Sequence, residues 1–296
     1  MKHRHDYFKY LSALLLFGSN GVVASSIRLT SVEIVLLRSV LGCILLTVLF
    51  FAGGNRLTLR ENRRDVLFVA LSGIAMAADW LFLFEAYAQI GVSLGMLINY
   101  TGPAIVIALS PALLREKITP QKLVALVCAL TGACLISGQA VISGLSLWGM
   151  LCAVLSAFSY AVMVLANKKA RSITGMKNTA LQLFFCAATV VLFCLFRSTR
   201  FTVAKEDWLP ILWLGFVNTG LGCYLYFSSI GGIPAQSVAV CGYIEPLSAV
   251  LLSALILHES LSGIQLLGAA LIIGGALFGE LGSAQITRAS RQCQQK

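Results

Sequence analysis

Charge is what this sequence lacks. Only 11% of its 296 residues are Asp, Glu, Lys or Arg, less than half the roughly 25% of a soluble domain, and that scarcity excludes a water-soluble globule. Acid is the rarer sign, with 12 Asp plus Glu against 22 Lys plus Arg. Histidine is almost missing: His3 and His5 stand near the N-terminus and His258 follows an apolar stretch, so no histidine-centred metal cluster can be assembled. Cys-x-x-Cys spacing is absent too. Eight of the nine cysteines, from Cys43 to Cys241, lie inside apolar runs, where they read as small fillers rather than redox or metal groups. There is no Gly-x-x-x-x-Gly-Lys-[Ser/Thr] loop and no polar stretch long enough for a soluble catalytic domain. These absences together predict no cofactor, no metal and no enzyme activity.

What is there is apolar: 58% of residues are hydrophobic and the mean hydropathy is +0.87. Apolar stretches broken by charge, Gly or Pro fall into ten spans, each near the ~20 residues that cross a bilayer. They run Phe8–Ile27, Val32–Ala52, Val66–Tyr87, Val92–Leu114, Leu123–Val141, Leu145–Asn167, Asn178–Phe196, Trp208–Ile230, Gln236–Leu257 and Ile264–Leu281. The first has the basic start and small residues of a signal peptide, but Gly18 to Gly21 interrupt its core with polarity that a signal peptide does not need. It is read as a spanning helix.

The basic excess follows topology rather than nucleic acid. Placing the N-terminus inside puts 17 of the 22 Lys and Arg in cytoplasmic segments, as the preference of positive charge for that side requires. The expectation is a multi-pass protein of the cell (inner or plasma) membrane with both termini cytoplasmic.

An internal repeat appears at an offset of 143 residues. Tyr100 falls on Tyr243, Pro103 on Pro246, Ser110 on Ser253, Glu116 on Glu259 and Gly132 on Gly275. Five spans per copy is an odd number, so the second copy enters the bilayer the other way up. Inverted repeats of this kind build many secondary transporters, whose substrates bind near the midplane between the halves. The units expected are 1–141 and 142–282, each of five helices, followed by a cytoplasmic tail, 283–296.

At these residues the chain resembles the EamA family of the drug/metabolite transporter superfamily. The resemblance rests on Phe17-Gly18-Ser19-Asn20, on Glu33 to Arg38, on Asn99-Tyr100-Thr101-Gly102-Pro103 and on Tyr243-Ile244-Glu245-Pro246, followed by Glu259-Ser260-Leu261-Ser262 and a Gly-rich last helix. Phe17 stands where the family commonly has Trp. The resemblance implies an all-α integral membrane fold and, without ATP, the export of amino acids and other small metabolites or their carriage across inner membranes.

Charged groups at membrane depth cost about 2.5 to 3.5 kcal/mol on insertion scales and are functional hypotheses by default. Three qualify: Arg38, about 9 Å below the outer boundary at 1.5 Å per residue, Asp79 in the third span, and Glu245 near the midplane of the ninth. Arg38 could instead snorkel outward or pair with Glu33. Offset by 143, Asp79 falls on Gly222 and Glu245 on Gly102, so each acid has a glycine for a mate, leaving space for a cavity with a polar wall. Pro103 and Pro246 are expected to kink their helices mid-span and free carbonyls. Asn99 with Gly102, and Gly242 with Glu245, should each share a face. The expected substrate-binding and pathway residues are Asn20, Arg38, Asp79, Trp80, Asn99, Tyr100, Gly102, Pro103, Asn218, Tyr243, Glu245 and Pro246. Glu116 and Glu259 are read as caps of the helices that follow them.

The function expected is a secondary active transporter, an exporter of small polar organic metabolites such as amino acids, alternating access around a midplane cavity. The partners are that small-molecule substrate, protons as a coupling ion, and the bilayer, with no nucleic acid, in a monomer or homodimer. The alternatives are a facilitative metabolite carrier or a non-transporting scaffold or receptor.

Overall fold

The computed structural model describes residues 2–24, 26–54, 63–90, 92–137, 146–197, 203–256 and 263–294, and among them the secondary structure is helical. Ten passes can be numbered in chain order. The first is split, α1a Lys2–Gly18 and α1b Asn20–Ala24, followed by α2 Ser31–Ala52 and α3 Arg63–Ile90. The fourth is split into α4a Val92–Asn99 and α4b Gly102–Leu114. Then come α5 Pro120–Ser137, α6 Leu147–Lys169 and α7 Gly175–Phe196. The eighth pass, α8, covers Lys205–Gly232. The ninth is split into α9a Ala235–Gly242 and α9b Ile244–Ile256, and α10 runs Gly263–Gln294. Five of these (α2, α3, α6, α7 and α8) are long and apolar enough to cross a membrane unaided; the divided passes reach that length only as pairs of pieces.

The ends are set by ordinary local chemistry. Glu33 closes the start of α2 by accepting the Thr30 backbone N–H at 2.8 Å, satisfying a donor that has no partner in the first turn. Ser146 caps α6 through Gly149 N–H at 3.2 Å, and Lys168 and Lys169 in its last turn complement the helix dipole. In α10 the helix continues to Gln294, past the expected end at Leu281 and through most of the segment read as a tail. The boundary expected at 141/142, the basic Arg56 and Arg60, and the Glu259 motif lie outside the described residues.

The halves meet along the axis that relates them. α2 packs on its own repeat mate α7, and α5 packs on its mate α10. At the second crossing Gly132 approaches so closely that a Cβ would stand 2.5 Å from Gly268 O, while its mate Gly275 faces Ala125 O at 3.1 Å. Gly268 and Ala125 are themselves 143 apart, so the contact is the same on both sides of the axis. Only glycine lets two backbones come this near. Also between the halves, α3 packs on α6 and α1a packs on the Gly222–Ser229 stretch of α8, again matching pairs.

The prolines act differently from the sequence expectation. The fourth and ninth passes are interrupted, not kinked, at Tyr100-Thr101 and at Tyr243. Pro103 and Pro246 then fall in the first turns of α4b and α9b, where a missing N–H costs nothing because no helical acceptor exists for it.

Candidate functional site

A cavity of about 600 Å³ lies between the repeats, a size suited to a small organic solute. At one end of the bundle it is bordered by Ala24, Ile27, Leu29 and Ser31 and by the last turn of α3; at the α9a end it is lined by Tyr226, Tyr243 and Gly242. A stripe of α3 forms one wall: Met76, Asp79, Trp80, Leu83, Phe84 and Tyr87, spaced three and four apart on one helical face. α1, α2, α4a and α9b supply Asn20, Arg38, Asn99 and Glu245.

Each ion in this cavity is held in its own way. Arg38 is only 6% exposed. Its guanidinium lies 4.4 Å from the centre of the Trp80 ring, and Nε donates to Thr219 Oγ1 at 2.9 Å. Thr219 in turn donates to the Leu214 carbonyl at 2.9 Å, inside a nine-residue π-helical stretch of α8, Trp213–Leu221. A cation over an indole face is attracted to the ring quadrupole. Arg38 therefore neither snorkels outward nor pairs with Glu33, which is committed to Thr30.

Asp79 is anchored. Its Oδ1 accepts from Ser156 Oγ at 2.6 Å and from Asn99 Nδ2 at 3.1 Å, and the same Asn99 Nδ2 lies 2.6 Å from Ser156 Oγ. This cluster ties α3, α6 and the last residue of α4a together at the point where the fourth pass breaks. Glu245 differs: it lines the cavity, and among the described residues its carboxylate accepts no hydrogen bond.

The repeat mates Tyr100 and Tyr243 meet at the two breaks. The Tyr243 hydroxyl donates to the Tyr100 carbonyl at 2.5 Å and the rings are 6.2 Å apart. The reverse bond is not made; the Tyr100 hydroxyl points to Met96 Sδ at 3.9 Å.

Beyond the α9a end of the cavity lies a polar seal. The Tyr10 hydroxyl donates to Val238 O at 2.7 Å, and Lys122 Nζ donates to Ser237 Oγ at 2.8 Å. Lys168 Nζ donates to the Ile230 carbonyl at 2.9 Å and also to that of Ile233. Glu116 accepts from the backbone N–H groups of Ala235 and Gln236 at 2.9 and 3.4 Å. Glu116 therefore caps α9a in the other repeat rather than the α5 helix that follows it.

Of the twelve residues singled out from the sequence, Asn20, Arg38, Asp79, Trp80, Asn99, Tyr100, Pro103, Tyr243 and Glu245 border the cavity; Gly102, Asn218 and Pro246 do not. At Gly102 a Cβ would meet Ala157 O and the Tyr160 ring at 2.9 Å, and at Gly222 it would meet the Phe17 ring at 2.7 Å. Both glycines opposite the acids are packing positions filled by aromatic rings, not open space. Gly102 also sits beyond the break from Asn99, so the two do not share a helical face as expected. Asn218 braces the break of the first pass, its Nδ2 donating to Leu16 O, Ser19 Oγ and Asn20 Oδ1 at 3.0, 2.8 and 2.9 Å. Residues the sequence reading did not single out include Ser156, Thr219 and Tyr10. Single hydroxyls in apolar helices carry no periodic signal, and only packing reveals their partners.

The sequence model of the EamA-like transporter family matches residues 7–138 and again 147–279, one match to each five-helix unit. The chain belongs to the EamA-like transporter family. Its relatives include the uncharacterized transporter YxxF of Bacillus subtilis, 24% identical with 94% of this chain and 91% of that protein covered. The uncharacterized inner membrane transporter YicL of Salmonella typhimurium is 26% identical, with 97% and 99% covered. A solved structure titled "Crystal structure of protein" superposes with a TM-score of 0.81 at 21% identity, over 95% of this chain and 99% of that one, and shares the fold. The chain is thus a multi-pass membrane protein of a transporter family, built as two EamA units.

Proposed function

We propose that this EamA-family protein is a secondary active exporter of small polar organic metabolites such as amino acids, alternating access around the cavity between its halves. The observation that carries the reading is one 600 Å³ cavity bordered by both repeats and holding Arg38, Asp79 and Glu245 together. Ionic groups at membrane depth are expensive; Asp79 is accounted for by its ties to Ser156 and Asn99, and the two others facing the same hollow, Arg38 and Glu245, are explained by a solute that needs them. Aromatic walls from Trp80, Phe84 and Tyr100 suit the apolar part of such a solute.

In this reading the protein lies in the cell (inner or plasma) membrane with both termini cytoplasmic, the orientation that the basic segments favour. The 26–30 segment then faces outside, the seal around α9a faces the cytoplasm, and the cavity is open to the outside. The test is uptake and efflux in proteoliposomes loaded with an amino-acid and metabolite mixture. Saturable flux of a polar solute, accelerated by an imposed pH gradient, is the expected result. Saturable flux indifferent to every ion gradient would make it a facilitative carrier, and no flux of any solute would overturn the reading.

A further inference from the structure

The guanidinium of Arg38 is oriented but unsatisfied. Of its five N–H groups, one is used, by Nε on Thr219; the ring face of Trp80 occupies the flat side. Among the described residues no carboxylate forms an ion pair with Arg38, Glu245 only attracting it across the cavity, and none of its nitrogens is sealed off in the protein without a partner. The four remaining N–H groups are thus left for whatever enters the cavity that Arg38 lines. A buried cation left without a partner is costly, and the planar fork of Nη1 and Nη2 matches the two oxygens of one carboxylate.

The two acids divide. Asp79 is already taken by Ser156 and Asn99, whereas Glu245 has no hydrogen bond. One cation and two carboxylates in one small space also disfavour a dianion such as a phosphate ester, since like charges in low dielectric repel strongly.

Resting on the reading of this cavity as a transport site, we propose that Arg38 is the specificity-determining residue. It receives the carboxylate of a zwitterionic solute in a two-pronged hydrogen bond, with the solute's ammonium on Glu245. Trp80 and Thr219 act as positioning residues that hold the fork toward the cavity, and Asp79 holds the helices and not the solute.

The test uses the full-length protein in nanodiscs and matched probe sets: the proteinogenic amino acids, each with its carboxamide and its decarboxylated amine, and neutral sugars and polyols. Thermal shift and proteoliposome counterflow are read for every member. The expected result is that all solutes bound or carried have a free carboxylate, and that amidation weakens binding about tenfold or more, the loss that goes with hydrogen bonds to a charged group. In Arg38→Gln acid and amide should then bind alike, and in Arg38→Lys the preference should fall but persist. Glu245→Gln should keep the preference for acid over amide while weakening both. Should Arg38→Gln fail to fold, the acid-against-amide comparison on the unmutated protein decides alone. Amines, amides or sugars binding as well as the acids would overturn the inference and leave the transport reading standing; no solute bound or carried would remove both.

Discussion

The two five-helix units share a fold and a family signature but do not carry the same chemistry. The first unit supplies Arg38, Asp79 and Trp80; the second has Leu181, Gly222 and Cys223 at the mates of those positions. The second supplies Glu245 where the first has Gly102. The first pass breaks at Ser19, whereas its mate α6 runs unbroken from Leu147 to Lys169. The eighth pass is π-helical through Trp213–Leu221 while its mate α3 is regular from Arg63 to Ile90. Contacts on the axis, by contrast, are held in common: Gly132 on Gly268 and Gly275 on Ala125 repeat one another. Symmetry is kept where the halves are fastened together and given up where the cavity is lined. Helix-to-helix contact needs only small residues at the right spacing, and both copies can supply them. Recognition of an asymmetric solute needs different groups on its two sides.

Substitutions put this contrast to the test. The largest effect is expected at the axis. Gly132→Leu and Gly275→Leu each force side-chain atoms into opposing backbone and should each lower stability by about 3 kcal/mol, seen as a similar fall in the unfolding midpoint in detergent. A large difference between the two would contradict a shared axial contact. The acids come next and should differ in sign. Asp79→Ala orphans Ser156 and Asn99 and should cost about 2 kcal/mol, whereas Glu245→Gln breaks no hydrogen bond and gives up only an attraction to Arg38 across the cavity, outweighed by the cost of burying the charge, so it should leave stability unchanged or raise it by about 1 kcal/mol. Equal destabilisation by both would end the division between a tied acid and a free one. The smallest effect separates the paired tyrosines: Tyr243→Phe loses the bond to the Tyr100 carbonyl, about 1 kcal/mol, and Tyr100→Phe loses only the weak contact with Met96, within about 0.5 kcal/mol. Matched denaturation curves of the two variants measure the difference.

Much of the fold was legible because lipid imposes one rule: a run of ~20 apolar residues must be a helix, and Tyr, Pro and Glu recurring at a fixed offset among interchangeable Leu and Val expose the repeat. The buried ions were legible for the same reason, standing out against 58% hydrophobic residues. What those ions touch was not. Ser156 and Thr219 look like any small residue in an apolar helix, and it takes the packing of α6 on α3 and of α8 on α2 to bring them to Asp79 and Arg38. Pro103 and Pro246 stand out in the sequence but their place within the helix does not, since a residue in a first turn and one mid-helix look alike until the break upstream of it is known. The cap made by Glu116 on α9a crosses between repeats, 119 residues along the chain, beyond the reach of any local pattern.

In the proposed transport cycle the hollow between the halves opens to the two faces of the membrane in turn. A single cysteine at Ala249, which lines it, in full-length protein with the native cysteines replaced by serine, tests this most directly. A membrane-impermeant thiol reagent should label it from either side of sealed vesicles, and a transported solute at saturation should change the ratio of the two rates. Labelling confined to one side under every condition, or a ratio that no solute moves, would contradict alternating access.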